Sequence, residues 1–235
     1  MTRLLASVQD DREALAALAG GADLVDFKDA AAGALGALNA DAIARGLQAL
    51  GGGVETSATA GDWPLEPHQL IEAVRDTAST GVDYVKLGLL PGAALETCIN
   101  ALAAAAARCR LVAVFFADRG VPLAALPRLR AAGFCGVMID TFEKQNGSLR
   151  TYLDDAALHA FVEGGRRHGL MTGLAGSLRL DDVPTLAAMA PDLLGFRGAL
   201  CEGADRKGVL SADRVRLARA TLDRARTAKP AAALP

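Results

Sequence analysis

Lysine is scarce in this chain and unevenly placed. Of its 25 basic Lys and Arg residues only five are lysine, at positions 28, 86, 144, 207 and 229. Three of these lie in or just after short apolar runs: DLVDFK ends on Lys28, YVKLGL carries Lys86, and Lys144 follows GVMIDT. Arginine would serve solubility equally well, and the chain otherwise prefers it. Lysine differs in that it can lose its proton and act as a base or as a nucleophile towards a carbonyl. Acids accompany the lysines. Asp26 precedes Lys28 by two residues, which on a strand puts both side chains on one face, and Asp140 closes GVMID. The chemistry this pattern suits is proton transfer and imine formation on a small carbonyl substrate.

Elements must bring these residues together, and the hydrophobic pattern supplies them. Strand-like runs occur at 3–8, 23–28, 54–59, 84–89, 110–116, 136–141, 170–175 and 193–198, separated by segments with helical spacing such as DREALAALA, EPHQLIEAVRDTAS, LAALPRLRAAG and DAALHAFVEGGRRHG. Several of these segments open on Asp or Glu and close on Gly, the usual start and stop signals of a helix. Eight strands alternating with helices in 235 residues predict an α/β fold, a single (β/α)8 TIM barrel. An open doubly wound sheet is the alternative, weakened because no G-x-G-x-x-G follows the first strand. The barrel is expected over residues 1–227, with a frayed Ala/Pro-rich tail at 228–235.

Barrel strands are buried on both faces, so polar residues at their C-terminal ends mark the active site. Asp26 and Lys28, Glu55, Lys86, Asp118, and Asp140 with Lys144 are the residues expected there, on or after strands 2 to 6. Alternate strands fill one layer of a barrel, so strands 2, 4 and 6 are predicted to turn Lys28, Lys86 and Asp140 towards one cavity. Clustered cations depress one another's pKa and release a neutral amine near neutrality. The competing reading is a buried ion network that only holds the barrel, an arrangement that is costly and stabilises weakly.

The loops after strands 7 and 8 read GLAGSL and GFRGALCEG. In barrels these loops often bind phosphate, and Gly176, Ser177, Arg197 and Gly198 are the residues expected to do so. Glu55 and Asp118 are read as partners of the lysines or as capping acids. His68, His159 and His168 are read as helix-surface residues, and Cys201 and Glu202 lie near the mouth without an assigned role. The net charge of −2 argues against a nucleic-acid partner, and no apolar run is long enough to span a membrane. Cys98, Cys109, Cys135 and Cys201 form no C-x-x-C pair, so no metal or redox centre is expected. The start of the chain has no secretory pattern, and a cytoplasmic location is expected. Ala-rich helices with few aromatics suit packing into a homo-oligomer.

Taken together, GGADLVDFKDAAAGALGA, DYVKLGL, GVMIDTFEK, GLAGSL and GFRGALC resemble the (5-formylfuran-3-yl)methyl phosphate synthase family over almost the whole chain. That family is also known as 4-(hydroxymethyl)-2-furancarboxaldehyde-phosphate synthase. The resemblance implies a barrel without cofactor that joins two molecules of glyceraldehyde 3-phosphate, releasing phosphate and water, in methanofuran-type cofactor biosynthesis. It implies Lys28 as the Schiff-base lysine and Lys86 as a proton acceptor, with Asp26, Asp140 and Lys144 completing the site. The loop TFEKQNGSL departs from the more Lys-rich version expected. Only one phosphate site is evident, although two phosphorylated substrates require two; Arg119 or a neighbouring subunit is the suggested source of the second. A class I aldolase of another pathway and a non-catalytic phosphometabolite-binding barrel are the rival functions.

Overall fold

A computed structural model describes residues 1–227; the expected tail at 228–235 lies outside the described residues. Eight parallel strands, β1 (Arg3–Val8), β2 (Leu24–Phe27), β3 (Glu55–Thr59), β4 (Tyr84–Gly88), β5 (Arg110–Phe116), β6 (Gly136–Asp140), β7 (Met171–Leu174) and β8 (Leu193–Phe196), pair in sequence order, and β8 closes on β1. The (β/α)8 reading therefore holds and the open sheet does not. Between and after the strands run α1 (Asp11–Ala19), α2 (Ala40–Leu50), α3 (Pro67–Ala78), α4 (Leu95–Ala101), α5 (Ala103–Ala106), α6 (Leu126–Ala131), α7 (Leu149–Tyr152), α8 (Asp155–Arg167), α9 (Val183–Ala188) and α10 (Ala212–Thr227). No helix among the described residues is long and apolar enough to cross a membrane.

Local chemistry explains where the helices start. Asp10, Asn39 and Asp154 each accept the N–H three residues on, satisfying an orphan donor at the first turns of α1, α2 and α8. The Ala-rich run 101–107 does not form one continuous helix: α4 ends at Ala101 and α5 starts at Ala103, with the fully buried Leu102 between them.

Strand alternation divides the core in two. One set of side chains, including Val25, Phe27, Val85, Leu87, Ala113 and Phe115, packs outward against the helices. The other set, Leu5, Leu24, Val112, Val114, Phe116, Met138 and Leu193, fills the barrel itself. Asp26 is in register with Ser7 on β1 and Ser57 on β3, and Lys86 with Thr59, so these polar side chains share the inner face with that second set. Glu55 does not reach the mouth. It opens β3 at the opposite end of the barrel, where it pairs with Arg3 and accepts the Tyr84 hydroxyl at 3.0 Å and Arg110 at 3.4 Å. A strand residue at the N-terminal end faces the barrel floor, so Glu55 is a plug residue and not a partner of the lysines.

Candidate active site

The C-terminal mouth holds a cavity of about 690 Å³ that Lys28, Lys86, Asp140 and Lys144 all line. Lys28 follows the last residue of β2, and its N–H still donates to Val8 at 2.9 Å, which holds the side chain over the barrel axis. Its ammonium lies 3.3 Å from Asp140 Oδ2. Asp140 ends β6 and also pairs with Lys144 four residues on, through its other oxygen. One carboxylate thus bridges two amines. Lys86, in the middle of β4, reaches Asp26 at 2.6 Å. Asp26 is fully buried and also accepts Ser7 at 2.9 Å and Ser57 at 2.6 Å. Lys28, Lys86 and Asp140 are only 7 %, 5 % and 6 % exposed, so their charges interact with little solvent screening.

Burial sets the protonation states. It pushes the Lys86 amine down, the Lys28 charge adds to that, and Asp26 opposes both. Lys144 is drawn to about 7, chiefly by burial, with Asp140 opposing and Lys28 reinforcing the shift. Burial acts to raise Asp140, but the Lys144 and Lys28 ammoniums and the Thr141 N–H outweigh it and hold the carboxyl well below the usual carboxylate range. The site therefore keeps a carboxylate ionised while offering, in Lys144, an amine that gives up its proton near neutrality.

A stability consequence follows from the sign of these shifts. An unfolded Lys144 keeps its proton up to about 10.5, whereas the folded amine releases it near 7. Unfolding takes up protons in between, so stability should rise with pH from about 7 to about 9, by up to about 1.4 kcal/mol per pH unit for each proton taken up. Above 9.0 the half-buried Cys109 and Cys135 thiols, which burial raises, act in the opposite sense. Urea unfolding at pH 7, 8 and 9 measures the slope, and Lys144→Met should reduce it, leaving the share of Lys86.

The phosphate loops are only partly as expected. Gly176 has φ +111°, and a Cβ there would lie 3.0 Å from Thr141, so glycine is required. Ser177, also at positive φ, donates its hydroxyl to the Lys144 carbonyl at 3.3 Å. The N–H groups of Ser177, Leu178, Gly198 and Ala199 make no hydrogen bond among the described residues, and all four residues line the cavity. Arg197, by contrast, does not offer its charge to a ligand. Its Nε donates to the Arg206 carbonyl at 2.9 Å, and its two terminal nitrogens are taken by Glu13, Ser7 and Gly208. All five guanidinium donors are used, so Arg197 clamps the loop after β8 onto α1. Glu13, buried on α1, completes the clamp by accepting the N–H groups of Gln9 and Leu210. Glu13→Ala strands a buried guanidinium and should lower stability by about 3–5 kcal/mol, measured by urea unfolding. Arg197→Met in that background should recover part of the loss.

The other candidates have local roles. Asp118 accepts the N–H groups of Phe142 and Glu143 at 2.7 and 2.8 Å and so caps the loop after β6. Arg119 pairs with Glu143 and stacks on Phe142, away from the lysine cavity. His68 is exposed beside Glu72. The Cys201 thiol is buried, pushed up to about 11 by that burial, and donates to the Arg197 carbonyl. Sequence reasoning missed Ser7 and Ser57. Their signal was a small polar residue at an inward position of an otherwise apolar strand. It also missed Arg206 and Arg214 on the cavity wall, for which the sequence carried no comparable signal.

The closed barrel with its charged mouth defines the chain as a TIM-barrel protein. A solved phosphoribosyl anthranilate isomerase of Thermus thermophilus superposes with a TM-score of 0.66 over 95 % of this chain and 99 % of its own, at 18 % identity, a likeness of fold. The sequence profile of 4-HFC-P synthase matches residues 4–219. A protein of Methylorubrum extorquens provisionally named (5-formylfuran-3-yl)methyl phosphate synthase is 46 % identical over 213 residues, covering 91 % of this chain and 88 % of its own. The (5-formylfuran-3-yl)methyl phosphate synthase of Methanopyrus kandleri is 34 % identical over 227 residues, covering 91 % and 96 %. The chain belongs to the 4-HFC-P synthase family.

Proposed function

We propose that this chain condenses two molecules of glyceraldehyde 3-phosphate into (5-formylfuran-3-yl)methyl phosphate through an imine on Lys28, as a step of methanofuran-type cofactor biosynthesis. The observation that carries the reading is three lysines lining one cavity, each paired with a carboxylate, Lys28 and Lys144 with Asp140 on its wall and Lys86 with the fully buried Asp26. Lys28 has the longest of these contacts, which leaves it the amine most easily drawn onto a substrate. Lys144 shares its carboxylate and can take its proton.

The Lys28 nitrogen bonds to the aldehyde carbon of the first triose, and the carbonyl oxygen leaves as water. The resulting iminium acidifies the adjacent C–H, and Lys86 as neutral amine takes that proton to leave an enamine. The enamine carbon bonds to the carbonyl carbon of the second triose. Eliminations, with Asp26, Asp140 and Lys144 moving the protons, and closure of the ring through a hydroxyl free Lys28. The atom balance over two trioses is one furan phosphate, one inorganic phosphate and two waters, so no oxidant or reductant is required. The phosphate of one triose is held by the N–H groups of Ser177, Leu178, Gly198 and Ala199, which the close turn at Gly176 allows to approach.

Incubation with glyceraldehyde 3-phosphate alone tests the reading. It should yield an ultraviolet-absorbing furan and an equal amount of inorganic phosphate. Formation of a reversible aldol adduct without phosphate release would mean a class I aldolase instead.

A further inference from the structure

The cavity wall carries more positive charge than its lysines account for. Most arginines that flank acids in this chain form ion pairs, yet Arg179, Arg206 and Arg214 line the cavity without one among the described residues. Arg214 is held by its Nε on the Ala199 carbonyl at 2.9 Å, next to the N–H groups after β8. Arg206 differs in position. It projects from the exposed loop after β8, is half-buried, and donates one Nη2 hydrogen bond, at 3.1 Å, to the Gly33 carbonyl of the loop that follows Lys28. Its Nε and Nη1 have no partner among the described residues. Asp140 and Asp62 are the acids that act on it from across the mouth, Asp205 acts from its own loop, and burial pushes its pKa down. A guanidinium stays charged regardless, so two nitrogens without a partner beside a cavity leave room for an oxyanion.

We propose that Arg206 is the anchor for the phosphate of the second triose, separate from the backbone cradle that holds the first. This rests on the two-triose reading above. The reason for assigning it the second substrate is the order of events. The first triose becomes covalently bound at Lys28, so its phosphate belongs in the backbone cradle, where Leu178 is buried, Gly198 and Ala199 are half-buried and only Ser177 is exposed. The second must enter from solvent over an occupied Lys28, and its anchor has to remain reachable at the rim. Arg206 is at that rim, and its bond to Gly33 ties the loop after Lys28 to the same ligand. The site takes a phosphomonoester dianion by a fork of two N–H donors.

Two measurements on Arg206→Gln, with Arg206→Lys as the conservative partner, test it. Calorimetric titration with inorganic phosphate should find two sites on the wild-type chain and one on Arg206→Gln, the remaining site reporting an intact fold. Borohydride trapping with glyceraldehyde 3-phosphate should label Lys28 in Arg206→Gln within about twofold of wild type. Furan formation should fall ten- to a hundredfold, the weight of a charge-assisted hydrogen bond. Arg206→Lys should recover part of the rate because it restores the charge but not the fork. Two phosphates still bound by Arg206→Gln, or an unchanged furan rate, would overturn the assignment. So would trapping and furan formation falling in parallel, since Arg206 would then serve the first triose. Absence of trapping in the wild-type chain would instead remove the imine reading, and the phosphate titration would still decide whether Arg206 is an anion site.

Discussion

Lys28→Arg should lose furan formation by on the order of 10⁴-fold or more and lose borohydride trapping altogether, while unfolding at nearly the wild-type urea concentration. The substitution keeps the positive charge beside Asp140, so the local electrostatics change little. What it removes is a nitrogen that can lose its proton and bond to carbon, because a guanidinium does neither at accessible pH. Losing a covalent nucleophile is among the largest effects a single side chain can have on turnover. Mass analysis of the trapped adduct and ultraviolet detection of the product measure the two losses separately. Activity within tenfold of wild type would mean that Lys28 is only a charge in the barrel and that another lysine carries the carbonyl.

The second large effect concerns Asp26. Asp26→Ala removes the counter-charge 2.6 Å from Lys86 and the acceptor of the Ser7 and Ser57 hydroxyls, all three groups being buried. Breaking one side of a buried ion pair costs about 3–5 kcal/mol, whereas replacing both sides by apolar groups can be nearly neutral. Asp26→Ala should therefore unfold at clearly lower urea, and Asp26→Ala with Lys86→Met should recover much of that stability. Activity should follow a different pattern. Either change should reduce turnover by about 10²- to 10⁴-fold, the span of a lost general base, and the double variant should not regain it. If the double variant recovered both stability and turnover, the network would be holding the barrel and not moving protons. Asp26→Asn isolates the charge. It keeps an acceptor for the serines, and because Asp26 opposes the fall of the Lys86 pKa, the amine should lose its proton at still lower pH. The ascending limb of kcat/KM that reports this base should shift to lower pH with it.

The eight strands, their order and the positions of four helices, α1, α3, α6 and α8, were legible in the sequence. Apolar runs with punctuating Gly and capping Asp or Asn encode local structure, and parallel strands joined by helices have few ways to close. Lys28, Lys86, Asp140 and Asp26 were legible for a related reason. A charged residue inside an otherwise apolar strand is expensive to bury and stands out against its neighbours. Strand alternation then sets which face it joins, which is why strands 2, 4 and 6 could be matched from the sequence. The loops behaved differently. Arg197 and Arg206 are nine residues apart on one irregular segment and look alike in sequence. Glu13, distant in the chain, packs against the first and consumes all of its donors together with three carbonyls. The second meets only Gly33 and keeps its Nε and Nη1 without a partner among the described residues. Glu55 likewise looked like a mouth residue until the register put it at the floor with Arg3, Tyr84 and Arg110.

By itself, then, the sequence determined the barrel and the set of buried lysines and acids, because periodicity and the cost of burying charge act along the chain. Only the tertiary structure decided which charges are spent on one another and which remain for a ligand. That outcome depends on partners brought together by folding, at distances no local pattern encodes.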